Sequence, residues 1–198
     1  MGLDFDLTDG QTPLDEDEKE GLLIPTITTR GELDEFEQLG VERAIEWLLT
    51  RKLSADKILT EDFAKDLHKR MFGSIWKWAG EFRRTNKNIG VDKFLIPVEL
   101  KNLLDDCRYW IENNSFSDDE IAVRLSHRMV LIHPLANGNG RHSRLMADVL
   151  ITKVFDKTYF TWGSVNLTKA GEARTKYLQA LGAADQNDYK LLVEFARL

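Results

Sequence analysis

One glycine-rich stretch, set between two apolar helical patterns, constrains the fold of this chain more than any other feature. Residues 132–145 have the sequence IHPLANGNGRHSRL, and apolar residues recur at helical spacing before and after them. Gly138 and Gly140 can adopt positive φ angles and let the backbone approach a ligand closely. Asn137 and Asn139 also tolerate left-handed geometry. The pattern therefore predicts a helix, a tight turn and a second helix.

The polar side chains of this stretch favour binding of a phosphate group. Arg141 and Arg144 are three residues apart, so a helix would place both guanidinium groups on one face. A helix that begins near Gly140 would add unpaired backbone N–H groups and the positive end of its dipole. His133, just before the turn, could act there as a general base. The alternative interpretation is a helix–loop–helix connection with a solvated basic rim.

The stretch from His133 to Arg144 is similar to the signature of the Fic (Fic/Doc) family, H-P-F-x-[D/E]-G-N-G-R-x-x-R. The order of the histidine, the proline, the Gly-Asn-Gly-Arg core and the second arginine is the same. Two positions differ, because Leu135 replaces the usual phenylalanine and Asn137 replaces the usual acidic residue. The resemblance implies an all-α fold, a Fic-type helical bundle with a short β-hairpin flap over the active site.

The resemblance also implies a protein adenylyltransferase, with ATP as a substrate and a target protein as the acceptor. In the family, a histidine deprotonates a serine, threonine or tyrosine hydroxyl of the target. The hydroxyl then attacks the α-phosphate of ATP and expels pyrophosphate. His133 would be this base, and Arg141 would be a second catalytic residue that holds the phosphate chain. The implied nucleotide-binding set is Gly138, Asn139, Gly140, Arg141 and Arg144, with Arg144 at the γ-phosphate.

Asn137 is the position that most affects the expected chemistry. The acidic residue that the family usually has there holds Mg²⁺ between the α- and β-phosphates, and this ion favours carboxylates. An amide oxygen can bind the ion without contributing charge, so weak Mg²⁺ binding at Asn137 is expected. A second interpretation therefore stays open: a domain that binds nucleotide or a partner without catalysis, or that transfers another phosphate-containing group.

Residues 86–97 are predicted to form the flap. They are short, rich in β-forming residues and contain Gly90 near the middle, which is typical of a hairpin. In the family, such a flap holds the target segment by strand addition. The docking surface would here comprise Ile89, Gly90, Val91 and Phe94. An ordinary surface hairpin is the alternative.

An acidic segment near the N-terminus contains a candidate inhibitory glutamate. Family members often carry an inhibitory helix with the motif [S/T]-x-x-x-E-[G/N], whose glutamate engages an active-site arginine. Glu20, followed by Gly21, matches the end of this motif, and Glu32 ends a second partial match. Glu20 is the preferred candidate and is expected to pair with Arg144. A small antitoxin-like regulator, as in toxin–antitoxin pairs, is the alternative source of inhibition.

Residues 78–83 are similar to the family segment that joins an early helix to the flap. Their sequence is WAGEFR, and Trp76 and Trp78 are predicted to be core anchors. Arg83 and Arg84 are predicted to have structural roles, with one or the other as the partner of a carboxylate.

Helical periodicity extends over most of the remaining chain. No repeat or linker interrupts residues 31–198, which are therefore predicted to form a single domain after an irregular acidic segment over 1–30. The 198 residues, with 42% hydrophobic content, suffice for one full core. Helices are predicted over 32–50, 61–73, 97–113, 118–132, 145–154, 167–181 and 188–198.

Composition argues against several other classes of protein. The net charge of −6 disfavours a helical DNA-binding module and nucleic acid as a partner. The single cysteine, Cys107, lies in an apolar helical pattern and is predicted to be a buried thiol, which suits a reducing cytoplasm. No apolar run is long enough for a membrane span. A cytoplasmic protein without a membrane partner is therefore expected.

Overall fold

Helices account for nearly all regular structure in the residues that the computed structural model describes, 14–164 and 171–198. A single 3₁₀ turn covers Trp162–Ser164, and the only β-type pairing in these two segments consists of isolated bridges. The prediction of an all-α fold is confirmed. The α-helices are α1 Glu16–Lys19, α2 Arg30–Leu49, α3 Ala55–Ile58, α4 Glu61–Phe72, α5 Ile96–Glu112, α6 Asp118–Ile132, α7 Asn139–Lys153, α8 Glu172–Asp185 and α9 Lys190–Arg197.

Side-chain caps determine where three predicted helices begin. The hydroxyl groups of Thr29, Thr60 and Ser117 accept hydrogen bonds from the backbone N–H three residues later, at 3.2, 3.1 and 3.3 Å. Each cap satisfies an N–H that has no acceptor within its helix, and such caps contribute about 1 kcal/mol each. The starts predicted for α2, α4 and α6 therefore agree with the structure to within two residues.

Other boundaries differ from the predictions. The short helix α3 was not predicted, since four residues carry too little periodicity. Helix α7 begins at Asn139, so the glycine-rich motif contributes its first turn. Helix α8 begins at Glu172, and the start predicted for it at 167 lies outside the described residues.

Helix α7 lies at the centre of the bundle. It packs along α6 and also contacts α3 and α4. Apolar and small side chains from several of its faces are buried, which is typical of a helix surrounded by others. The turn between α6 and α7 is therefore anchored at both ends by the most buried part of the fold. The buried apolar residues of α7 are Leu145, Met146, Ala147, Val149, Leu150 and Ile151.

The predicted hairpin over 86–97 is wrong. Residues 84–95 form bends and a turn, and the next helix begins at Ile96. The carbonyl oxygens of Thr85 (2.7 Å) and Val91 accept hydrogen bonds from the guanidinium of Arg83. Because these acceptors are engaged by a side chain, they are not available to pair two strands of a hairpin.

The roles predicted for Trp76, Trp78 and the arginines at positions 83 and 84 are confirmed in part. Trp76 is fully buried and Trp78 is partly buried against the core, as predicted. Arg83 is buried and donates to backbone carbonyls, whereas the exposed Arg84 is the one paired with a carboxylate, that of Glu81 at 2.9 Å.

Two statements drawn from composition can be compared with the structure. Cys107 is buried in α5, and burial raises the pKa of its thiol to about 12, so the thiol is protonated at neutral pH. In the part of the chain that the structure describes, no helix is both long and apolar enough to cross a membrane.

The close packing of α2 against α4 can be tested by substitution of a glycine at their crossing. A Cβ atom on Gly40 would lie 2.0 Å from the backbone oxygen of Met71, whereas a Cβ atom on Gly31 would meet nothing within 4 Å. We expect Gly40→Ala to lower the free energy of unfolding by about 1–3 kcal/mol, because the helices must move apart. Gly31→Ala, the control in the same helix, should be neutral or stabilise by up to about 1 kcal/mol. Urea denaturation followed by circular dichroism measures both, and equal effects would contradict the described crossing.

Candidate active site

His133 occupies the point at which the chain leaves α6. Its backbone lies in the left-handed region, with φ 52° and ψ 60°, and its N–H donates to the carbonyl of Met129 at 3.0 Å. Histidine is one of the few residues other than glycine that is enriched in this region. The Nε group of Arg83 donates to the carbonyl oxygen of His133 at 2.6 Å. The position of the imidazole is therefore set by α6 and by Arg83 together.

The His133 imidazole is in the protonation state that a general base requires. Burial, assisted by the nearby charges of Arg83 and Lys87, lowers the pKa of this histidine to about 4, so it is neutral at pH 7. The Nδ1 atom lies 3.4 Å from the carbonyl oxygen of Val130. This geometry favours the tautomer with the proton on Nδ1, which makes Nε2 the basic nitrogen.

The loop after His133 is closed by the side chain of Asn139. The Oδ1 atom accepts from the Leu135 N–H at 3.0 Å, and Nδ2 donates to the Leu135 carbonyl at 2.7 Å. Asn139 is 4% exposed. Because both of its polar side-chain atoms serve the loop, a contribution of Asn139 to the predicted nucleotide-binding nest would come from its backbone N–H. The side chain is thus a structural tie across the motif.

The N-terminus of α7 is arranged as an anion-binding site. Gly138 precedes the helix with φ 75° and ψ 3°, and no side chain caps the helix. The first helical hydrogen bond runs from the His142 N–H to the Gly138 carbonyl at 2.9 Å. The N–H groups of residues 139–141 therefore have no acceptor within the helix, and the helix dipole adds positive potential there. The structure thus brings the predicted Gly138–Gly140 nest together.

Gly138 is required for two reasons. Its positive φ favours glycine, and a Cβ atom there would lie 2.6 Å from the ring of Phe72. Phe72 ends α4, so this aromatic ring forms the floor beneath the nest and links it to the core.

The two motif arginines differ in their partners. Arg141 donates to the Oε2 atom of Glu37 at 2.5 Å. The guanidinium of Arg144 lies 5.5 Å from the centre of the Tyr177 ring, a cation–π contact with α8. No carboxylate of the described segments forms an ion pair with Arg144. Arg144 is therefore the arginine with charge available for a phosphate group.

Glu37 is a site residue that the sequence predictions missed. It is 1% exposed, and its second carboxylate oxygen accepts from the Trp76 indole N–H at 2.7 Å. A signal was present in the sequence, because Glu37 lies four residues after Leu33 and three before Gly40, within the buried stripe of α2. A glutamate on the buried face of a helix is rare unless it is paired.

The predicted inhibitory glutamates do not reach an arginine of the motif. Glu20 is exposed at the end of α1, and no hydrogen bond or ion pair in the described segments joins it to Arg144. The carboxylate of Glu32 accepts from the backbone N–H groups of Thr28 and Thr29, so it caps the N-terminus of α2. The sequence match around Glu32 is therefore a helix capping box. The carboxylate that contacts a motif arginine is that of Glu37.

His68 is a second residue that the sequence analysis did not select. Its Nδ1 atom accepts from the Gly80 N–H at 2.9 Å, and its Nε2 atom lies 3.1 Å from the carbonyl oxygen of Asn137. Because Nδ1 accepts a hydrogen bond, the proton must be on Nε2, which donates to Asn137. Burial lowers the pKa of His68 well below its usual value. This neutral histidine therefore positions the motif loop from α4.

The side chains around Asn137 do not fit a protein-held magnesium site. The Oδ1 atom of Asn137 accepts from the Gly138 N–H at 2.7 Å. Over residues 14–164 and 171–198, no three histidine, cysteine, aspartate or glutamate side chains are grouped to hold a metal ion. Magnesium usually takes one or two carboxylates from a protein in addition to phosphates and water. One amide oxygen already engaged in the loop is a poor substitute.

The predicted docking residues lie over His133, although they are not paired as strands. A Cβ atom on Gly90 would lie 2.7 Å from Cβ of His133, and the N–H of Val91 donates to the Ile132 carbonyl at 3.3 Å. Ile89 is half-exposed and Phe94 is exposed. We define the flap loop as residues 85–95. It covers the histidine with glycine and backbone, while Ile89, Phe94 and Leu95 are exposed and Val91 packs partly against the core.

Comparison with known proteins matches this geometry. Residues 58–151, which include His133, the motif loop and most of α7, match the model of the Fic/DOC family. Nearly half of the chain, including the motif, is thus similar to the Fic/DOC family. A protein adenylyltransferase Fic from Drosophila grimshawi is 27% identical over 168 residues, and one from Aedes aegypti is 25% identical over the same length. These alignments cover 82% of this chain but 33% and 32% of the two relatives. The chain thus spans about a third of the length of the curated relatives it matches.

Solved structures of Fic proteins share the fold. Fic-1 (aa134–508) from C. elegans has a TM-score of 0.67 and 23% identity, covering 90% of this chain and 51% of the other. The BepC protein from Bartonella tribocorum, solved with bound AMPPNP, has a TM-score of 0.66 and 16% identity, covering 96% and 93%. At these identities the likeness concerns the arrangement of helices.

The buried histidines predict a pH dependence of stability. Burial lowers the pKa of His142 to about 4, against 6.5 for an unperturbed histidine. Between pH 4 and 6.5 the unfolded chain therefore binds more protons at this position, so stability falls as pH falls through this range. For each unit by which the pH falls in this range, the free energy of unfolding of the unmodified chain should decrease by up to about 1.4 kcal/mol more than that of His142→Gln. Urea denaturation from pH 4.5 to 7.5 measures this.

The difference in stability between the unmodified chain and His142→Gln reports on the titration of His142 alone. Burial raises the pKa of Asp148 to about 7, which favours the native state at low pH and acts in the opposite sense. This contribution is common to both proteins and cancels in the difference. Parallel curves of stability against pH would contradict the buried, neutral state of His142.

Proposed function

We propose that this chain is a protein adenylyltransferase that transfers AMP from ATP to a hydroxyl side chain of a target protein. The observation that carries the proposal is the short loop over 133–138. A neutral histidine lies at one end of it and the uncapped N-terminus of α7 at the other, and Asn139 closes the loop between them. A base and an anion site are thereby held in a fixed relation. The names of the curated relatives support the same activity.

The backbone and the arginines would bind the phosphate chain. The N–H groups of residues 139–141 can donate to oxygens of the α- and β-phosphates, as helix N-termini do for anions. Arg144 would hold the γ-phosphate, because its described contact is with the Tyr177 ring and no carboxylate of the described segments forms an ion pair with it. Fixed donors of this kind stabilise the charge that develops in phosphoryl and nucleotidyl transfer without reorganising during the reaction.

His133 would provide the base for the attacking group. Its Nε2 atom accepts the proton of the target hydroxyl as the hydroxyl oxygen forms a bond to the α-phosphorus. The bond between the α-phosphorus and the bridging oxygen breaks, and pyrophosphate leaves with that electron pair. The products are a phosphodiester between the target and AMP, a protonated histidine and pyrophosphate. The His133 backbone, fixed by Arg83, keeps the base in place.

Glu37 would oppose phosphate binding by Arg141. The Glu37 carboxylate is buried, and Arg141 is its charged partner. If Arg141 turned to a phosphate, it would leave a buried carboxylate without a compensating charge, which is costly. The proposed inhibitory group is therefore Glu37 acting on Arg141, in place of the predicted Glu20 acting on Arg144. An antitoxin-like regulator stays a prediction.

A second candidate function is nucleotide binding without transfer. It is favoured by Asn137 itself, because a neutral amide whose Oδ1 atom already accepts from Gly138 is a weak ligand for the magnesium ion that usually accompanies ATP. Isothermal titration with ATP separates the two functions when combined with the transfer assay below. Binding without transfer from any nucleotide would favour this second function.

The proposed catalytic domain extends over residues 31–198, beyond the matched family segment. Helix α2 contributes Glu37 to the site, and α8 contributes Tyr177 beside Arg144. Both lie outside residues 58–151. Residues 1–30 would precede the domain as a separate segment.

Transfer of label from ATP tests the proposed activity. Incubation with ATP labelled at the α-phosphate, in the presence of magnesium or manganese, should label a protein of a cell lysate or the chain itself. His133→Ala should reduce the label by at least 100-fold, because the base is lost. His127→Gln is the matched control, since His127 is a buried histidine of α6 that bonds Tyr189 and Asp185. Absence of label with every nucleotide, including in Glu37→Gln, would exclude the activity.

The role of Glu37 gives a separate prediction. Glu37→Gln removes the buried charge and should increase both the affinity for ATP and the rate of label transfer at least severalfold. Glu35→Gln, which removes an exposed carboxylate from the same helix, should change neither. If Glu37→Gln instead weakens ATP binding, measured by isothermal titration, Glu37 orients Arg141 for the phosphate and does not oppose it.

A further inference from the structure

A buried lysine in the flap loop is neutralised by carboxylates from the N-terminal segment. The side chain of Lys87 is 2% exposed, and its ammonium lies 2.8 Å from Asp15 Oδ2 and 2.5 Å from Glu18 Oε2. The Thr85 hydroxyl also donates to Asp15 Oδ2. We call residues 15–18 the acidic turn. Because Asp15 and Glu18 are separated by one turn of α1, a single short segment supplies both charges.

Three groups beneath the acidic turn donate hydrogen bonds to it. In addition to the Lys87 ammonium and the Thr85 hydroxyl, the Trp78 indole N–H donates to the backbone oxygen of Glu18 at 2.9 Å. The ammonium and the indole N–H cannot accept a hydrogen bond, and the hydroxyl is used here as a donor. With a segment seated on it the Lys87 side chain is 2% exposed, and a segment that covers the ammonium in this way must bring negative charge to it. The three donors together define an acidic-segment site.

The acidic-segment site lies beside the proposed catalytic base. The charge of Lys87 is close enough to influence the ionisation of His133, and Gly90 of the same loop contacts that histidine. A cleft of about 360 Å³ runs between the acidic turn and residues 81–85 and reaches Ala136 of the motif loop. A protein segment held at Lys87 would therefore enter the catalytic site along this side.

We propose that Lys87, Thr85 and Trp78 form a docking site for an acidic segment of the target protein, which the chain's own acidic turn fills in the structure. A target segment with two carboxylates one helical turn apart displaces the acidic turn and presents its hydroxyl to His133. The acidic turn is thus a tethered competitor of the target. That the displacing segment is a substrate rests on the proposed function, whereas its binding does not.

The site is tested by direct binding of a peptide in the absence of nucleotide. The probe is a fluorescent peptide with the sequence of residues 13–22, PLDEDEKEGL, and its anisotropy is measured with the full chain. The double variant Asp15→Asn/Glu18→Gln should bind the peptide at least about tenfold more tightly than the unmodified chain, because it lacks the tethered competitor. Adding Lys87→Gln to that variant should abolish this gain.

The matched control removes the same charge from the same helix. Glu16→Gln/Glu20→Gln eliminates two carboxylates that do not contact Lys87, and it should bind the peptide no more tightly than the unmodified chain. Equal gains in both double variants, or a gain that survives Lys87→Gln, would overturn the docking site. A peptide in which asparagine and glutamine replace the two carboxylates should not bind any variant.

A measurement on the unmodified chain covers the case in which a variant fails to fold. Excess acidic peptide, with glutamine in place of its lysine so that trypsin does not cleave it, should accelerate tryptic cleavage after Lys19 of the chain severalfold, because displacement releases α1 from the flap loop. An unchanged cleavage rate would contradict the proposal. Peptide binding without AMP transfer would contradict the proposed function alone, whereas transfer to targets with no preference for acidic segments would contradict the docking site alone.

Discussion

The guanidinium of Arg83 is the interaction on which the site depends. One side chain donates to the backbone of His133, Thr85 and Val91, and so joins the motif loop to the start and the middle of the flap loop. Hydrogen bonds from a charged donor are stronger than neutral ones, and here all of them are shielded from solvent. The left-handed turn at His133 and the close approach of Gly90 both depend on this arrangement. The flap loop is therefore part of the same rigid unit as the base.

The ionic contacts around this unit share one feature. Arg141 is paired with the carboxylate of Glu37, and Lys87 is paired with the two carboxylates of the acidic turn. Each of these two cations is therefore neutralised by carboxylates of the same chain. Arg144 differs, since its described contact is with an aromatic ring. In the proposed function, a nucleotide competes with Glu37, and a target competes with the acidic turn. The two competitions concern different substrates and are physically separate.

Much of the fold follows from local signals in the sequence, and the site follows only in part. Helix starts at Thr60 and Ser117 are encoded by single capping residues, and the glycine-rich motif encodes its own turn. The flap was mispredicted because the side chain of Arg83, two and eight residues before its acceptors, takes carbonyls that the local pattern assigns to a hairpin. Glu37 and Arg141 are 104 residues apart, so no local pattern links them. The sequence matches at Glu20 and Glu32 gave no indication of which glutamate contacts a motif arginine in the folded chain.

The most direct test of the account is a crystal structure of the chain with a non-hydrolysable ATP analogue. We predict that phosphate oxygens lie within about 3 Å of the N–H groups of residues 139–141, with the His133 imidazole facing the α-phosphate. Arg144 should contact the γ-phosphate. A nucleotide bound elsewhere, or one whose α-phosphate lies on the side of the loop away from His133, would contradict the assignment of this loop as the catalytic centre.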